Sequence, residues 1–152
     1  MFITVMSQAP QMGLETPSGR LETVLRIVRA VPACRTPQEL FRMIADELRR
    51  TLSFDQLHAI IYKEHTAEVQ WHSFGPDEIP YPDHIPVEET QSWWVHTHQQ
   101  SLVIADWNEE TRFPQLREFI RKFSMRLTCS VPLATTHRQL GTFSWTRRPA
   151  FG

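Results

Sequence analysis

The sequence predicts one α+β domain, an α/β sandwich with a central antiparallel sheet, helices packed on one face and loops and short helices on the other. Three observations lead there. Residues 57–62 alternate with a period of two and are largely apolar on both faces, Leu57, Ala59 and Ile61 against His58, Ile60 and Tyr62, which marks a strand interior to a sheet. Residues 126–145 read as two short alternating strands joined by a polar turn, with Pro132 at the exit of the first and Gly141 at the entry of the second. Stretches 21–31, 37–52 and 114–123 repeat apolar residues at helical spacing, so helices precede the sheet and cross over it.

The elements follow in order. Residues 1–19 return repeatedly to Ser, Pro and Gly and read as a flexible lead-in, leaving 20–152 as a single domain. The first helix carries the stripe Leu21, Val24, Leu25, Val28 and Val31 and is ended by Pro32. A second opens on Thr36 as cap, Pro37 in the first turn and Glu39 three residues on, and presents Leu40, Phe41, Ile44, Ala45 and Leu48. After the first strand, residues 67–74 form its hairpin partner, with Val69, Trp71 and Ser73 on one side and Gln70, His72 and Phe74 on the other. Prolines 76, 80, 82 and 86 force a loop. A short helix at 88–99 surrounds Trp93 and Trp94, and residues 102–104 make a brief strand. The last helix, 114–123, turns Leu116, Phe119, Ile120 and Phe123 inward.

Composition narrows the function classes. The chain has 152 residues, 41% hydrophobic and 22% charged, enough for one globular core. Its 16 basic and 17 acidic residues leave a formal charge of -1, so no global field draws it to nucleic acid or to an anionic membrane. Cys34 and Cys129 lie far apart in apolar contexts, the usage of buried thiols in a reducing compartment. Apolar runs fall well short of the roughly 20 residues of a membrane span, and the N-terminus lacks a signal-peptide pattern. Cytoplasmic localisation follows as the expectation.

Chemistry-bearing motifs are scarce. No glycine-rich phosphate loop or nucleophile elbow occurs. His96 and His98 stand two apart on a helix and point different ways, and His58 and His72, paired across the first hairpin, lack a third ligand at motif spacing. An enzyme would need an acid–base pair, for which only Asp106 and a neighbouring histidine stand out. The expectation is no catalytic residue, no metal and no cofactor. Asp106, at a strand exit, reads as an Asx-type turn former, with ligand contact as the alternative. Cys129 shares a strand face with Leu127, Val131 and Leu133 and reads as a small hydrophobe facing core or pocket.

The order and spacing of several short pieces carry a family resemblance over 21–152: the opening helix, Glu39-Leu40, Ser53-Phe54-Asp55, Thr97-His98-Gln99-Gln100, the 102–106 strand ending in Asp106, and the hairpin from Val131-Pro132-Leu133 to Gly141. Together they resemble a GAF domain, a small-molecule sensory module. Within that family the chain is most similar to sensory domains placed ahead of the ATPase in sigma-54-dependent transcriptional activators of the formate hydrogenlyase activator type. The resemblance implies a regulatory domain that binds a small molecule and signals to adjacent ATPase and DNA-binding domains in its parent protein. The alternative is a dimerisation module without ligand.

Nitric-oxide-sensing relatives hold iron with carboxylates and a cysteine from the equivalent strands. Here Cys129 falls one residue nearer Pro132, and Thr146 stands where a carboxylate is expected, so iron is not expected. The family's pocket would lie between the sheet face bearing Val69, Trp71, Cys129 and Val131 and a cover of Trp93, Trp94, Trp107 and Phe113. Relatives continue past Phe151-Gly152 into a helix that packs beside the first one. Its apparent truncation here leaves Leu21, Val24, Leu25 and Val28 as candidates for a self-association interface.

Overall fold

The structure is a computed structural model that describes residues 22, 25, 26, 29, 33–50, 53–63 and 68–149. The chain divides between Phe54 and Asp55 into two compact units. The expected lead-in at 1–19 and the stripe residues Leu21, Val24 and Val28 lie outside the described residues.

In the first unit, helix α1 spans Pro37–Arg49. Thr36 Oγ1 accepts the Glu39 amide at 3.1 Å, and the Glu39 carboxylate accepts the Arg35 amide at 2.7 Å, so both sides of the predicted start are satisfied. A cap of this kind contributes about 1 kcal/mol. Phe41, Ile44, Ala45 and Leu48 form the buried stripe. Glu22, Leu25, Arg26 and Arg29 are helical, and Arg26 Nε reaches Glu47 of α1 at 2.6 Å. Leu25, the described member of the proposed interface stripe, is 40% exposed.

The second unit is built on an open, five-stranded antiparallel sheet. Its strands are β1 (Gln56–Tyr62), β2 (Val69–Phe74), β3 (Leu102–Ile104), β4 (Leu127–Ala134) and β5 (Gln139–Arg147), in the order β2-β1-β5-β4-β3. The two-faced apolar strand β1 is interior, as its pattern requires. Pro132, read from sequence as a strand exit, instead lies inside β4. It is tolerated because β3 pairs with β4 only as far as Ser130, leaving that side of the strand without a partner at 132.

The register assigns every side chain to one of two faces. Leu57, Ala59, Phe143, Trp145, Cys129, Val131 and Leu133 share an apolar face. The opposite face carries His58, Ile60, Tyr62 and Trp71 beside Thr128, Ser130, Thr142, Ser144 and Thr146. Against that face lie segment 75–90, helix α2 (Gln91–His98) and helix α3 (Pro114–Arg121). This is the predicted layer of loops and short helices.

Helix α2 starts where Thr90 caps it: the hydroxyl accepts from the Trp93 amide at 3.3 Å and donates to Val87 O at 2.7 Å. It ends at Gln99, whose φ of 53° is left-handed. Helix α3 stops at Arg121, two residues before the predicted end, as the chain turns through a left-handed Ser124. Val95, Leu102, Ile104, Trp107, Phe113 and Leu116 form the apolar centre of this layer.

Candidate functional site

A cavity of about 40 Å³ lies against the hydroxyl-bearing face. Strand β1 lines it with His58, Ile60 and Tyr62, β2 with Trp71, and the far strands with Thr128, Ser144 and Thr146. Segment 75–90 supplies Ile79, Tyr81, Pro82 and Thr90; the helices supply Gln91, Ser92, Leu116, Phe119 and Ile120.

The Thr128, Ser144 and Thr146 hydroxyls of the sheet floor and the Trp71 indole are already hydrogen-bonded within the protein. Trp107 Nε1 donates to Thr128 Oγ1 at 2.7 Å, and the Ser130 and Ser144 hydroxyls meet at 2.7 Å. Thr146 donates to Met125 Sδ at 3.3 Å, and Trp71 Nε1 to Ile79 O at 2.9 Å. Two lining atoms stand apart. His58 Nε2 is buried without a hydrogen-bond partner, and Tyr62 OH is buried with the Thr90 and Ser92 hydroxyls as its polar neighbours; their residues are 6% and 8% exposed. Burial lowers the His58 pKa to about 4, so the imidazole is neutral at physiological pH. The Tyr62 phenol is pushed well above its usual range by burial and by Tyr81, against a weaker opposing pull from Thr90 and Ser92. The Trp71 ring stacks on His58 with centroids 4.7 Å apart and holds it in place.

The residues expected from sequence separate into two groups. Trp71 lines the cavity, with Val69 on the same face two positions along. Cys129 and Val131 face the other way, paired with Trp145 and Phe143, so the sheet face proposed for them together with Val69 and Trp71 is split by the register. The β4 residue that faces the cavity is Thr128, one position before Cys129. Burial pushes the Cys129 thiol up to about 12.

Trp93 packs edge-on against Tyr62 at 5.2 Å, while Trp94 stacks on His98 at 4.3 Å. Trp107 is fully buried within the covering layer, where it and Phe113 belong to the same apolar centre. Asp106 Oδ1 accepts the Asn108 amide at 2.9 Å, and Oδ2 accepts from Arg126 Nε at 3.2 Å; the first is an Asx turn.

His58 and His72 do not meet across the hairpin. His58 is opposite Ser73 and His72 opposite Ala59, which puts them on different faces. Among the described residues no group of three or more His, Cys, Asp or Glu could hold a metal ion. No helix among them is long and apolar enough to cross a membrane. Of the described lining residues only Trp71 belonged to the sequence-derived site; the polar sheet residues absent from it are His58, Tyr62, Thr128, Ser144 and Thr146. Period two already grouped His58 with Tyr62; what was missing was the register of β4 and β5 relative to β1.

The family model described as "GAF domain" matches residues 36–151. That family is regulatory and non-catalytic. Several solved structures share the fold. The GAF domain of a phosphoenolpyruvate-protein phosphotransferase from Coxiella burnetii has a TM-score of 0.66 at 13% identity, over 88% of this chain and 80% of that one. The GAF domain of a two-component sensor histidine kinase from Bacillus halodurans has a TM-score of 0.60 at 14% identity, over 78% and 81% respectively. The chromophore-binding domain of a bacteriophytochrome from R. palustris has a TM-score of 0.63 at 17% identity, over 90% of this chain and 56% of that one. No curated protein matches with significance. The family match spans most of the chain and agrees with the open antiparallel sheet and its short-helix layer: the chain belongs to the GAF-domain family.

Proposed function

We propose that this GAF domain is a cytoplasmic sensory module that holds a small molecule in the hydroxyl-faced cavity and reports its occupancy to an adjacent effector. We place that effector among the ATPase and DNA-binding domains of a bacterial transcriptional activator. The observation that supports the reading is a cavity whose floor is paired internally while a buried polar atom, His58 Nε2, is left for something else. An occupant that prefers one arrangement of segment 75–90 and α2 would shift their population, and the effector would read that shift. Native mass spectrometry of protein purified from cells tests it. A retained small-molecule mass, lost on denaturation, is the expected result. A bare chain mass in every preparation, with no cavity-lining residue responding to cell extract, would argue against sensing.

The second reading is a dimerisation module using Leu21, Val24, Leu25 and Val28, favoured by the 40% exposure of Leu25. Sedimentation separates the two: under this reading the double substitution Val24→Glu, Val28→Glu converts a dimer to monomer, and a wild-type monomer at tens of micromolar removes it.

A further inference from the structure

We infer that the cavity takes an uncharged ligand of a few heavy atoms, anchored by one hydrogen bond to His58 Nε2 and otherwise packed on apolar side chains. The inference rests on the sensory reading above and names its ligand class.

Charge comes first. None of the 16 described lining residues is Asp, Glu, Lys or Arg. A charged ligand drawn into this space would lose its hydration and find no counter-ion to replace it. Nor does His58 supply a cation, since burial keeps its imidazole neutral. The same lining offers a neutral molecule little to object to: Ile60, Leu116, Phe119 and Ile120 provide an apolar wall, and the floor hydroxyls are already paired.

Size comes second. At about 40 Å³ the cavity has room for a few water-sized bodies, whereas a cavity that takes benzene is about 150 Å³. His58 and Tyr62 are four residues apart on one strand, about 13 Å along it, so a ligand this small meets only one of them. Tyr62 has the Thr90 and Ser92 hydroxyls acting on it, while burial is the sole influence on His58. His58 is also the better positioned, clamped by the Trp71 ring, which is itself fixed through Nε1 to Ile79 O. That makes His58 the anchor and Trp71 the reporter.

Three isosteric four-atom probes separate the charge states: acetamide, acetate and acetamidinium. Each is titrated into the 15N-labelled protein at neutral pH to about 0.1 M, a range suited to ligands with so few atoms. The expected result is that acetamide moves the Trp71 indole signal and the amides of β1, with an apparent Kd at least about tenfold below that of either ion, about 1.4 kcal/mol. His58→Phe should weaken acetamide several-fold with spectral dispersion intact; His58→Gln, which keeps a neutral hydrogen-bonding group, should retain the preference over the ions. Either ion binding as tightly as acetamide at these signals would overturn the ligand class and leave the sensory reading standing. No response to acetamide at all would overturn the inference, and only a bare mass in the native spectrum as well would remove both.

Discussion

Protonating His58 should destabilise this protein, and the size of the effect follows from its burial. The folded imidazole has its pKa lowered from 6.5 to about 4 by desolvation alone. The unfolded chain therefore binds the proton first as pH falls. Stability from this residue is fully present above about pH 6.5, declines through the window down to about pH 4, and is constant below it. At about 1.4 kcal/mol per pH unit, the window amounts to about 3 kcal/mol, a large share of a small domain's total.

The assay is urea unfolding of wild type and His58→Gln at several pH values between 7.5 and 4.5. By pH 5 the wild type should have lost about 2 kcal/mol relative to the variant. His72 and His96 also have lowered pKa values through burial, and Glu110 a lowered one through its hydrogen bond to Arg112. All three contribute acid sensitivity of the same sign. They are common to both proteins and cancel in the difference. His58→Phe provides a second control: it removes the buried orphan atom, keeps a ring under Trp71, and should cost little at pH 7.5. A wild-type-minus-variant difference that stays flat from pH 7.5 to 4.5 would refute the reasoning, because it would mean the buried imidazole is hydrated or partnered in solution.

Other perturbations test the frame around the cavity. Gly141→Ala places a Cβ within 1.8 Å of the Ile60 carbonyl oxygen, so β5 cannot keep its pairing with β1; a loss above about 4 kcal/mol is expected, read from the urea midpoint or from failure to fold. Trp107→Phe leaves the buried Thr128 Oγ1 without its donor and should cost about 2–4 kcal/mol in the same assay. Thr90→Ala removes the cap of α2 and should cost about 1 kcal/mol, with amide exchange rising first in the opening turn of that helix. Cys129, buried and with its thiol pushed up to about 12, should react with iodoacetamide at pH 8 only after unfolding, as peptide mapping would show.

Where the code is local, the sequence was sufficient. The start of α1 was legible because Thr36, Pro37 and Glu39 act within one turn, and the structure shows the cap bonds themselves. The interior place of β1 was legible because only a strand with neighbours on both sides and cover on both faces has use for apolar residues at consecutive positions. Pro132 was misread as a strand end because the rule against proline depends on whether a neighbour is present, and that depends on how far β3 extends. The short reach of β3, three residues, is set by tertiary packing.

The cavity was harder, and the reason is a matter of parity. Apolar alternate residues on β4 (Cys129, Val131, Leu133) invite the conclusion that theirs is the pocket face, while Thr128 and Ser130 look like a face turned to water. The structure reverses this: Thr128, Ser130, Thr142, Ser144 and Thr146 are all no more than 3% exposed. One clue separates the two cases. A strand face exposed to water generally carries lysine, glutamate or arginine, yet positions 128, 130, 132, 142, 144 and 146 hold no charge at all. Hydroxyls without charges at alternate positions on two adjacent strands describe a face that must satisfy its own hydrogen bonds, and Ser130 with Ser144 does so directly across the pair. Such a face is suited to lie under a cover rather than under solvent. The same property that hid it from an apolar-first reading, uncharged polarity, is what selects an uncharged guest.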